Sequence, residues 1–145
     1  MSATPQSYAN HTRWHAPFHF FVLPVLLINV IWSIVDCVKH PTWNCHWWIV
    51  VSVALLLLGF LCRTNSLKVQ DRIIRLEERL RYQQLLPADL ARLASSLTVG
   101  QTIALRFAAD EELEGLVREV LSGKLTKPVE IKRAIKNWRP DTFRV

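Results

Sequence analysis

Glycine is scarce, with four residues in 145, and Gly59, Gly100, Gly115 and Gly123 lie too far apart to build a Gly-rich loop that cradles phosphate. The three cysteines, Cys37, Cys45 and Cys62, show no C-x-x-C spacing, which removes the common zinc and redox motifs. No Ser/His/Asp arrangement and no paired acids stand out. The expectation is therefore a chain that is not an enzyme and that has no cofactor and no metal. Formal charge is also nearly missing from residues 1–62, where only Arg13, Asp36 and Lys39 carry any.

What fills that stretch is apolar. Two runs, Phe18 to Val38 and Trp47 to Cys62, stand almost back to back, and about 20 apolar residues at a rise of 1.5 Å cross a ~30 Å hydrocarbon core. The second run continues without a helix breaker into the charged stretch Arg63 to Arg81. The expected fold class is all-α, a transmembrane helical hairpin followed by a long juxtamembrane helix and a small cytosolic helical module. The boundaries are a flexible N-terminal segment 1–16, the hairpin 17–62, the juxtamembrane amphipathic helix 63–86 and the basic module 87–145. A cleaved signal peptide is the competing reading of the first run. The preceding region is long and poor in positive charge, and Asp36 before Cys37 spoils a lipoprotein-type site, so a retained span is expected.

Charge sets the orientation. The loop Lys39–His46 carries one Lys, whereas Arg63, Lys68, Arg72, Arg75, Arg79 and Arg81 crowd the exit of the second span. The positive-inside rule places that side, and with an even number of spans both termini, in the cytosol of a multi-pass inner-membrane protein. Trp43, Trp47 and Trp48, with Trp32 deeper, match an aromatic belt at the opposite interface. Cys37 and Cys45 flank the outer loop, where a disulfide can persist. Free apolar thiols are the plainer reading for all three cysteines, and the one expected.

Inside the first run, Pro24 should kink the helix. Asn29, Ser33 and Asp36 form a polar stripe expected to pack against another helix, as such groups do within membranes. Beyond the second run, Val69, Ile73, Leu76 and Leu80 recur at spacings of four, three and four, with Glu77–Arg81 and Asp71–Arg75 as i,i+4 pairs. This seam can meet the chain's own module, a second copy or a foreign subunit. Leu86, Leu90, Leu93, Ala94 and Leu97 make a further stripe. Thr98-Val-Gly-Gln101 reads as a capping box, and Asp110 as the cap of a helix bearing Leu113, Leu116, Val117 and Val120 that Gly123 ends. Thr126-Lys-Pro128 opens the last helix, with Ile131, Ala134, Ile135 and Trp138 on one face until Arg139-Pro140 stops it. No strands are expected.

Two ligand-type clusters exist. His11, His15 and His19 are four apart, but the Pro17 ring clashes with the carbonyl of Arg13, so one helix cannot present all three. Asp36, Cys37, His40, Cys45 and His46 surround the outer loop without a recognised metal spacing. At the C-terminal end Lys132, Arg133, Lys136 and Arg139 beside Trp138 can meet the phosphates of anionic lipid headgroups or an acidic partner. Nucleic acid is not an expected partner: the segment from Leu97 to Phe107 lacks the second helix a helix-turn-helix needs.

Several segments together resemble a known family: Tyr8-Ala9-Asn10-His11, Lys68-Val69-Gln70-Asp71-Arg72, Arg75-Leu76-Glu77-Glu78-Arg79-Leu80-Arg81, Ile103-Ala104-Leu105-Arg106-Phe107 with Asp110-Glu111-Glu112-Leu113, and Ile131 through Asp141. The chain is similar along nearly its whole length to a family of small bacterial two-span membrane proteins of unknown function. The resemblance implies a bacterial inner-membrane protein and supplies no activity, cofactor or catalytic residue. The functional expectation is a non-enzymatic membrane anchor or adaptor that docks a partner or forms a homo-oligomer. The partner-binding candidates are Val69, Ile73, Leu76, Leu80, Lys132, Arg133, Lys136 and Arg139. The alternative is a small accessory subunit of a transport, channel or redox complex.

Overall fold

The computed structural model describes residues 6–9 and 14–141. The expected all-α class is what it shows. A π-helical turn (Phe18–Val22) leads into α1 (Leu23–Lys39); then follow α2 (Trp43–Leu85), α3 (Ala88–Ala94), α4 (Val99–Leu105), α5 (Asp110–Leu121) and α6 (Pro128–Ala134). Among the described residues there is no strand, only an isolated antiparallel bridge between Ala108 and Trp138. The chain divides into two compact units, residues 14–67 and residues 68–141 with 6–9, and α2 contributes to both.

In the first unit α1 and the first part of α2 form an antiparallel hairpin, and both the π turn with α1 (Phe18–Lys39) and α2 are long and apolar enough to cross a membrane. The defect expected at Pro24 takes the form of the π turn. Leu23 N–H reaches back to the Phe18 carbonyl, and this wider turn precedes a residue that has no N–H and whose ring would crowd a regular helix. Thr42 opens α2 by accepting the Cys45 N–H at 3.2 Å. Between the helices, the Leu26 side chain lies against Gly59, where an added Cβ would come within 3.2 Å of it.

The second unit is a small helical domain. Its core gathers Tyr82, Leu86, Leu90 and Ala94 with Leu105, Phe107, Leu113, Val117 and Ile131. Leu93, assigned to this stripe in the sequence, points outward. The capping box forms as expected, Gln101 N–H donating to Thr98 Oγ1 and Thr98 N–H to Gln101 Oε1. Gly100 lets α4 approach α6, since a Cβ there would stand 3.0 Å from Pro128 Cγ, and Gly123 ends α5 at φ +80°. At the start of α6, Glu130 accepts the N–H groups of Lys127 and Thr126, which hold its carboxyl below its ordinary range.

Two expectations fail here. Asp110 does not cap α5 with its side chain; the N-cap is Ala109, because Arg81 has claimed the Asp110 carboxylate. The last helix ends at Ala134 rather than near Arg139. Glu112 takes the N–H groups of Lys136 and Asn137 at 3.1 Å each, and the chain extends so that Ala109 N–H bonds the Asn137 carbonyl and Arg139 N–H that of Phe107.

Candidate functional site

Helix α2 beyond Leu67 has two unlike faces. One is packed: Ile74, Glu78, Arg81 and Tyr82 are all buried. The other carries the seam read from the sequence, and every member is open, Val69 at 56%, Ile73 at 51%, Leu76 at 61% and Leu80 at 52% exposure. Counting 100° per residue sets the two faces roughly 150° apart on the helix. The chain's own domain packs on the other face and leaves the seam open.

The packed face is organised by an ion network that helical spacing did not suggest. Arg81, 8% exposed, donates from Nη1 to Glu78 Oε2 at 3.2 Å, from Nε to Asp110 Oδ1 at 2.9 Å and from Nη2 to the Ala108 carbonyl at 2.7 Å. It therefore bonds Glu78, three residues back, in place of the expected Glu77. Arg139 Nη1 approaches the other Glu78 oxygen at 3.6 Å. Burial pushes the Glu78 carboxyl above its usual range, and the Arg81 charge opposes that shift. Tyr82, 2% exposed, has a buried hydroxyl with no hydrogen-bond partner among the described residues. Desolvation drives its pKa well up.

The basic end is not one helix face. Lys132 and Arg133 lie on α6, whereas Lys136 follows it in a bend and Arg139 lies just past the bridge residue Trp138. Lys132 Nζ stands 5.5 Å from the Phe107 ring centre and Arg133 Cζ 5.4 Å from that of Tyr8. Arg139 belongs to the Glu78 network. Lys136 and Arg133 are exposed.

The polar stripe of α1 is used within the hairpin. Asn29 Nδ2 donates to Ser52 Oγ at 2.8 Å, and Ser33 Oγ lies 2.9 Å from Ser52 Oγ, with Ser52 fully buried. Asp36 stands apart with an exposed side chain. Cys37 and Cys45 are joined as a disulfide with Cα atoms 5.1 Å apart, which corrects the expectation of free thiols; Cys62 is free. The reason is positional: the two cysteines sit at facing helix ends of a short loop, within bridging distance. Of the outer-loop cluster, Cys37, Cys45 and His46 come together, their ligand atoms within 4.8 Å, but both sulfurs are consumed by the bridge. Of the three spaced histidines, His11 lies outside the described residues. His19 Nδ1 bonds the His15 carbonyl at 3.0 Å and its ring packs edge-on to Trp14.

A family model described as a family of unknown function, DUF6526, matches residues 1–145. The chain belongs to the DUF6526 family. No curated protein and no solved structure matches it. Membership agrees with a small protein bearing two long apolar helices and brings no activity with it.

Proposed function

We propose that this DUF6526 chain is a non-enzymatic anchor of the bacterial inner membrane, whose hairpin spans the bilayer with both termini cytosolic and whose second unit associates with a second copy of itself. The open seam on α2 carries this reading. Four large apolar side chains in a row, on a helix whose other face is already packed, leave a surface that water penalises at roughly 25 cal/mol for each Å² of apolar area.

Heptad register favours a second copy over a foreign subunit. With Ile73 and Leu80 at a, and Val69 and Leu76 at d, Arg72 falls at g and Glu77 at e. A parallel pair brings Arg72 of each chain to Glu77 of the other, the usual g-to-e attraction. An antiparallel pair instead sets g against g, Arg72 facing Arg79. Two chains anchored in one membrane with the same topology are parallel already. Several features support the membrane placement: the paired apolar helices, the cluster of basic residues after Cys62, the exposed Trp32, Trp43, Trp47 and Trp48, and a disulfide at the end of the hairpin assigned to the oxidising side.

The test is the stoichiometry of the full chain in nanodiscs, counted by single-molecule photobleaching. Two copies per particle at limiting protein are expected for the wild type, and one for Leu76→Lys/Leu80→Lys. A wild type that stays single overturns the self-association, and a variant that remains paired moves the interface elsewhere.

A further inference from the structure

The hairpin unit contains a groove of about 530 Å³ between the π turn and α1 on one side and α2 on the other. Val22, Leu26, Leu55 and Leu58 line its length, and His15 and Arg63 stand at one end. Arg63 is the first charged residue after the apolar stretch of α2. The groove is thus apolar along the bilayer and basic where a headgroup layer begins. We infer that it binds one anionic glycerophospholipid, an acyl chain lying against Leu26, Leu55 and Leu58 and the phosphate meeting Arg63 and His15. This rests on the membrane placement proposed above.

The chemistry selects that occupant. An apolar slot alone accepts any acyl chain, as any lipid-facing surface does, so selectivity must come from the mouth. A guanidinium presents five N–H donors in a planar fork suited to phosphate, so Arg63 can take a phosphate oxygen alongside a contact within its own chain. Zwitterionic lipid offers the same phosphate with a cationic group beside it, which a basic mouth disfavours. Cys62, the free thiol, lines the groove one residue before Arg63 and provides a handle on its occupancy.

The experiment is native mass spectrometry of the full chain released from mixed phosphatidylglycerol and phosphatidylcholine nanodiscs. One phosphatidylglycerol per chain should be retained in preference to phosphatidylcholine. Arg63→Gln should lower that preference about fivefold, the effect of one basic residue at an anionic surface. Lys68→Gln, which removes an equal charge outside the groove, should leave it unchanged. Leu58→Trp, or a bulky maleimide on Cys62, should displace the lipid with the charge intact, and excess inorganic phosphate should not. Equal retention of the two lipids, or equal loss in Arg63→Gln and Lys68→Gln, overturns the site and leaves only diffuse attraction. Extraction of the chain from native membranes by alkaline carbonate would instead overturn the membrane placement itself.

Discussion

At Arg81 a single guanidinium serves two carboxylates and the Ala108 carbonyl. Replacing it by Met leaves Glu78 buried without its main counter-charge, and breaking a buried pair from one side costs about 3–5 kcal/mol. Chemical denaturation of full-length Arg81→Met in mild detergent should show that loss. Glu78 also makes stability depend on pH. Its folded-state pKa is raised above the ordinary 4.5, so folding favours the protonated form. Its stabilising contribution is complete below the unfolded value and is lost as pH rises through the folded one. Relative to Glu78→Gln, the wild type should therefore lose stability as pH rises from about 4 toward neutrality. A relative gain over that range would contradict the burial argument. Tyr82 gives a simpler contrast. Its hydroxyl has no partner among the described residues, so Tyr82→Phe should leave stability unchanged or raise it by about 1 kcal/mol, whereas Tyr82→Ala should cost about 3–5 kcal/mol. Little of this network was legible in the sequence. Arg81 looked like one more surface cation because its best partner, Asp110, is 29 residues away, and no local spacing signals it.

Elements were read more readily where their determinants are local. The Thr98–Gln101 box, the stop at Gly123 and the entry at Pro128 act within one turn, and each appears where the sequence placed it. Thr98→Ala should accordingly cost about 1 kcal/mol of thermal stability. The end of the last helix was misread for the opposite reason. Ile131, Ala134, Ile135 and Trp138 fit a helical repeat, but Glu112 captures the next backbone N–H groups from another helix. The basic end is affected directly: its four cations spread over a helix and the non-helical segment after it, and Arg139 is tied to Glu78. Neutralising Arg133 and Lys136 should leave folding intact, whereas adding Arg139→Gln should lower the melting temperature of the full chain. On α2, periodicity found the apolar seam but could not say which side the domain would choose. The domain chose the face with Glu78 and Arg81, which no hydropathy pattern marks as buried.

For the whole molecule, the hairpin was plain in the sequence because apolar length alone defines it, and the closing bridge was not, because pairing depends on where two helix ends meet. The disulfide and the polar contacts of Asn29, Ser33 and Ser52 tie α1 to α2 within one chain. Asn29 and Ser33 are therefore spent on closing the hairpin, which leaves the seam to carry the association proposed above. Topology follows as a prediction: in intact spheroplasts a membrane-impermeant maleimide should label Cys37 and Cys45 only after reduction, and a reporter fused after Val145 should behave as cytosolic.

The proposed pairing of α2 with a second copy runs along Val69, Ile73, Leu76 and Leu80. Single cysteines placed from position 68 to position 81 of the full chain, in a Cys62→Ser background, measure this directly when oxidised in native membranes. Cross-linked dimers should peak at Val69, Ile73, Leu76 and Leu80 and fall to background at Ile74 and Glu78. Uniformly low cross-linking, or a maximum on the Ile74 face, would contradict it.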